Sequence, residues 1–94
     1  MYNTPILFLI FSRPDTTERV FQRIRAIKPS RLYVAADAPR DNRPDEAKRC
    51  AETRSIIDRI DWDCELKTLY RDKNLGCKMA VSSAISWFFE QEEY

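Results

Sequence analysis

The residue pattern predicts an α/β fold in three layers, in which strand and helix alternate three times and the strands form a parallel sheet with helices on its faces. Continuous apolar runs at 6–11 and 32–36 have the length of strands and no alternation, as strands buried on both faces do. Between and after them, apolar residues recur at intervals of three and four, the period of a helix with one buried face. Right-handed crossovers then make neighbouring strands parallel.

The first strand is Ile6-Leu7-Phe8-Leu9-Ile10-Phe11, ended by Ser12-Arg13-Pro14. Pro14 suits the first position of a helix, Asp15 and Glu18 suit its positive end, and Thr17, Val20, Ile24 and Ile27 share a face expected to be buried. That helix stops before Pro29, because the residue preceding a proline is pushed out of the helical region. Leu32-Tyr33-Val34-Ala35-Ala36 is the second strand, ended by Asp37-Ala38-Pro39 and followed by the polar loop Arg40-Asp41-Asn42-Arg43. Pro44, Asp45 and Glu46 open a second helix with Cys50, Thr53, Ile57 and Ile60 along one stripe, and Asp61-Trp62-Asp63 closes it.

Residues 64–71 alternate, with Cys64, Leu66, Thr68 and Tyr70 on one side and Glu65, Lys67, Leu69 and Arg71 on the other, the mark of a half-exposed edge strand. After Gly76, the residues Cys77, Ala80, Val81, Ala84, Ile85 and Phe88 give a third helix a broad apolar face, which Trp87 and Phe89 widen. Glu90, Glu92 and Glu93 stand where a helix dipole prefers cations and mark its end. Since the first strand is the most apolar and the third the most amphipathic, the spatial order is 3-2-1, with the third outermost and the first central. Three strands alone leave the first with a free apolar edge, which soluble proteins avoid. It is expected to be covered by polypeptide following Tyr94, with 1–94 as the front part of a larger domain, or else by a homodimer partner.

Ninety-four residues form one domain at most, with a modest core. Sixteen basic and fifteen acidic residues nearly cancel, so no global field steers nucleic acid or an anionic membrane to the surface. Arg19, Arg23 and Arg25 read as a solvated helix face, and no nucleic-acid partner is expected. Cys50, Cys64 and Cys77 are widely spaced without a Cys-x-x-Cys pair, which argues against a disulfide framework or a zinc site and fits buried thiols in a reducing cytoplasm. Histidine is absent, which removes histidine triads, cysteine–histidine dyads and the usual zinc enzymes. The first apolar run is too short for a membrane span and lacks a basic leader, so the expected location is cytoplasmic.

Parallel α/β sheets bind ligands beyond the carboxyl ends of their strands. Those ends deliver Ser12 and Arg13, then Asp37, then Arg71, Asp72, Lys73 and Asn74, with Gly76 and Lys78 at a helix start suited to anions. Gly76 is the only glycine, where an average chain of this length carries about six or seven, so a backbone reason for keeping it is expected. Aspartate after a strand can accept hydrogen bonds from a base or a ribose, and arginine can donate to base carbonyls or phosphate oxygens. The plainer reading makes Asp37 a turn cap before Pro39 and Arg71 a solvated edge charge. Neither a dinucleotide fingerprint nor a Walker loop is possible with one glycine. Asp61 and Asp63 fall at the opposite rim and read as loop residues, with Trp62 as an anchor.

Taken together, Pro5 to Pro14, the Ala36-Asp37 strand end and Arg71-x-x-Asn74-x-Gly76-x-x-x-Ala80-x-x-x-Ala84 resemble the start of a GT-A glycosyltransferase. The resemblance spans nearly the whole chain and is nearest to bacterial nucleotide-diphospho-sugar transferases whose first strand ends in Arg-Pro. It implies an incomplete, Rossmann-like nucleotide-binding half: the backbone of Phe11, Ser12 and Arg13 and the side chains of Asp37 and Arg71 would hold the base, and Asn74, Gly76 and Lys78 would shape the adjoining loop and helix entrance. The family's Asp-x-Asp motif, which holds Mg or Mn, and its catalytic base ordinarily lie further along. No metal, cofactor or catalytic residue is therefore expected within the chain, which alone would bind a nucleotide-diphospho-sugar without transferring the sugar. The alternative is a non-enzymatic flavodoxin-like or response-regulator-like interaction domain that dimerises through its first strand, although no acidic cluster ends that strand and no flavodoxin-type phosphate loop is present.

Overall fold

The computed structural model describes residues 3–92 and orders them as β1 (Ile6–Ile10), α1 (Pro14–Ile27), β2 (Arg31–Ala36), α2 (Pro44–Ile56), a short 3-10 turn (Ile57–Arg59), β3 (Glu65–Tyr70) and α3 (Cys77–Gln91). The strands form one open parallel sheet in the order β1-β2-β3, so β2 is central and β1 lies at an edge among the described residues. Pairing sets Phe8 beside Val34 and Thr68, and Leu9 beside Ala35 and Leu69, which assigns alternate residues of all three strands to common faces.

One face carries the core. Phe8, Ile10, Leu32, Val34 and Ala36 pack with Phe21 and Ile24 of α1 and with Ile56 and Ile57 at the end of α2. The helices meet each other above this face, as two right-handed crossovers in the same direction require. Pro14 and Pro44 occupy first helical turns, where the missing N–H costs nothing. With no glycine available, α1 ends on Lys28 at φ 53°, whose N–H donates to the Ile24 carbonyl 2.9 Å away before Pro29 stops the helix. Trp62 anchors the turn into β3, its indole N–H donating to the Pro29 carbonyl at 2.9 Å and its ring resting 6.0 Å from Phe21.

The other face takes α3, which lies over β1 and β2. Tyr33 is the pivot: its ring meets Trp87 and Phe88 edge-on at 5.6 and 5.0 Å, and its hydroxyl donates to Glu92. Burial, and then that hydrogen bond, push the Tyr33 phenol up to about 12. Glu92 also lies 3.4 Å from Arg31, so the end of α3 is tied to the start of β2. The acidic residues expected to mark the helix end do so, with α3 closing at Gln91; Glu93, like Tyr94, lies outside the described residues.

Four expectations need correction. Within α1 the fully buried residue is Phe21, while Val20 and Ile27 of the expected stripe are exposed, because the face toward the sheet runs through Thr17, Phe21 and Ile24. β1 is buried on the α1 face alone, and Leu9 on the α3 face is 42% exposed. On α3 only Ala84 is buried and Ile85 and Phe89 are exposed, since the sheet beneath is too narrow to cover the whole apolar arc. The cysteines are free, but Cys50 alone is buried; Cys64 is half-buried and Cys77 is exposed at the start of α3. Among the described residues, no helix is long and apolar enough to cross a membrane.

Candidate functional site

All three strands end at one rim, and the loops that leave it surround a cleft of about 540 Å³. Seven of the eight residues picked out from the sequence line it: Phe11, Ser12 and Arg13 after β1, Asp37 after β2, and Arg71, Asn74 and Gly76 after β3. Lys78 is not among the lining residues; it is exposed on the first turn of α3, away from the wall that Gly76 and Cys77 form. Phe8, Leu9, Ala35, Ala36, Val81 and Ala84 make the floor and sides apolar. The cleft thus continues along the open edge of β1, between α1 and α3.

Asp37 is the organising residue. It is buried, and its carboxylate accepts hydrogen bonds from the backbone N–H of Ala38 (2.9 Å), Leu75 (2.9 Å) and Gly76 (3.1 Å) and from the Asn74 side-chain amide (3.2 Å). A carboxylate has about four acceptor positions, so this one is filled by its own chain. The Asn74 amide donates as well to the Ala38 carbonyl at 2.7 Å. These bonds lay the loop from β3 across the end of β2 and leave Gly76 at φ 85° and ψ 153°, a conformation that L side chains rarely adopt. An added Cβ there would meet nothing within 4 Å, so the glycine is required by backbone geometry and not by crowding.

Two arginines that the sequence reading passed over complete the rim. The Arg54 guanidinium, reaching up from α2, donates to the carbonyls of Asp37 (3.1 Å) and Arg71 (3.0 Å) and stacks 4.9 Å over the Tyr70 ring, bracing the ends of β2 and β3. Arg40 lines the cleft and is held by Glu46, which accepts from the Arg40 backbone N–H at 2.8 Å and from its guanidinium at 2.6 Å. Those side-chain bonds, helped by the backbone N–H and opposed by burial, hold the Glu46 carboxyl down at about 2. Arg54 and Glu46, the partner of Arg40, had a legible signal: Glu46, Cys50, Arg54 and Ile57 fall on one stripe at helical spacing, and a charge on a buried stripe asks for a partner; Arg40 itself, in the loop before the helix, had none.

The remaining cations differ in availability. Arg71 donates to the Ser83 hydroxyl at 3.1 Å, while Arg13 is exposed at the mouth and, among the described residues, its guanidinium has no hydrogen-bond or ion-pair partner. The rim can therefore present one uncommitted guanidinium, the backbone of 11–13 and the uncapped start of α3 over an apolar cleft. That combination suits a flat, partly apolar ligand carrying an anionic group. It does not suit a divalent cation: among the described residues Asp37 is the one carboxylate lining the cleft, and its oxygens are already taken.

Fold and rim together define a parallel α/β chain with a ligand-sized cleft at the carboxyl ends of its strands. Neither a family model, nor a curated protein, nor a solved structure matches the chain.

Proposed function

We propose that this chain is the nucleotide-sugar-binding part of a glycosyltransferase of the GT-A class, with a Rossmann-like sheet that accepts a nucleotide-diphospho-sugar at its carboxyl rim. The observation that carries the reading is the convergence of Phe11, Ser12, Arg13, Asp37, Arg71, Asn74 and Gly76 on one cleft, from three separate strand ends. The base enters over the apolar floor, and the backbone of 11–13 reads its edge. Arg13 and the start of α3 face the diphosphate, where a guanidinium and helix N–H groups favour negative charge. Asp37 acts by holding the loop that carries Asn74 and Gly76, and Arg71 closes the wall beside it.

On this reading the chain binds the donor without itself transferring the sugar, since the described residues of the cleft leave no carboxylate free to hold Mg or Mn. A nitrogen-15 NMR titration with UDP and with GDP tests the binding. The amides of residues 11–13 and 74–78 are expected to shift progressively with one of the two nucleotides. Unchanged amides in both loops at saturating concentrations of each nucleotide would end the proposal.

A further inference from the structure

We propose that Arg40 is a second ligand-contacting arginine of the cleft, oriented by Glu46 so that it grips a diphosphate group together with Arg13. The proposal rests on the reading of the cleft as a nucleotide site, from which it takes the diphosphate. The Arg40–Glu46 pair is lopsided. The Glu46 side chain is 3% exposed, whereas that of Arg40 is 52% exposed and lines the cleft. Burying a carboxylate is costly, and among the described residues every hydrogen bond that this one accepts comes from Arg40.

Anchoring the loop between β2 and α2 accounts for one of those bonds, the Arg40 backbone N–H donating to Glu46 Oε1 at 2.8 Å. The guanidinium adds its Nε–H, at 3.1 and 3.2 Å from the two oxygens, and an Nη2–H at 2.6 Å, and is thereby fixed along one edge. Its opposite edge, Nη1 with the remaining Nη2 hydrogen, has no hydrogen-bond partner among the described residues. A guanidinium is a planar fork that takes a phosphate through two N–H groups, and one already held along its other edge gives up less freedom on binding. With its carboxyl held at about 2, Glu46 stays ionised at neutral pH and the hold persists there.

Placement supplies the second half of the grip. Arg13 follows β1 and Arg40 follows β2, and the last residues of those strands, Ile10 and Ala36, are register partners. Two guanidiniums therefore come off adjacent strand ends onto one cleft. They match two phosphate groups, where a monophosphate engages only one of them. The site thus prefers nucleoside diphosphates to monophosphates, whichever base enters.

Calorimetric titration of the metal-free chain with UDP, GDP, UMP, GMP and inorganic pyrophosphate tests this. The wild type is expected to bind the preferred diphosphate about tenfold or more tighter than the matching monophosphate. In Arg40→Ala that ratio should fall to about one. Arg40→Lys should lower it as well, because an ammonium keeps Glu46 partnered but offers no second planar edge. Glu46→Gln, which loosens the guanidinium without removing it, should lower the ratio in part. A ratio near one in the wild type, or a ratio unchanged in both Arg40 variants, overturns the proposal and leaves the nucleotide reading standing. Pyrophosphate that binds through Arg40 when neither base is bound overturns the nucleotide reading alone, and a chain that binds none of these probes overturns both.

Discussion

At the scale of single residues, Asp37 joins sequence to site. Its carboxylate holds Leu75, Gly76 and Asn74, so Asp37→Ala should cost about 1.5–3 kcal/mol in urea unfolding and speed amide exchange at Leu75 and Gly76. Wild-type exchange rates at those two amides in the variant would show that the loop is held by something else. The Arg40–Glu46 pair makes a pH prediction. Glu46 is held at about 2, below its ordinary value near 4.5, so the pair's contribution is fully present above that ordinary value and is lost as pH falls through about 2. Acid unfolding curves of Arg40→Ala should therefore show a smaller loss between pH 4.5 and 2 than the wild type; identical curves would contradict the assignment. Asp37 and Arg71 were legible in the sequence as strand-end polar residues. The use Asp37 makes of its oxygens was not, because hydrogen bonding to a loop 38 residues away leaves no local pattern.

At the scale of elements, the three strands and three α-helices were visible in the sequence through their apolar periods and the prolines that open α1 and α2, although α2 gives way at Ile57 to a 3-10 turn, short of the Ile60 that the expected stripe reached. Which faces are buried was less legible, on α1 as on β1 and α3. Val20 and Ile27 fit the spacing as well as Phe21 does, and only the position of the helix over the sheet decides between them. Phe21→Ala should cost about 3–5 kcal/mol, whereas Val20→Ala, removing a side chain that already meets water, should cost under about 1 kcal/mol in the same urea experiment. Comparable losses would place the α1 contact face wrongly. The two residues that the periodicity promoted and the core does not use are those that line, or extend toward, the open edge of β1.

At the scale of the whole molecule, the strand order could be read from relative apolarity, but the open β1 edge turned the strand expected to be central into a border. Everything chemical then gathers at one end of the sheet: three strand ends, a loop latched by Asp37 and braced by Arg54, and an uncommitted Arg13 over an apolar cleft of about 540 Å³. Calorimetric titration of the wild-type chain and of Arg13→Ala with UDP and GDP, in the absence of metal, tests that picture most directly. Saturable one-to-one binding of one of these nucleotides to the wild type is expected, weakened about tenfold or more in the variant by loss of a charge-assisted contact. Absence of saturable heat with either nucleotide, or equal affinity in the two proteins, would contradict it.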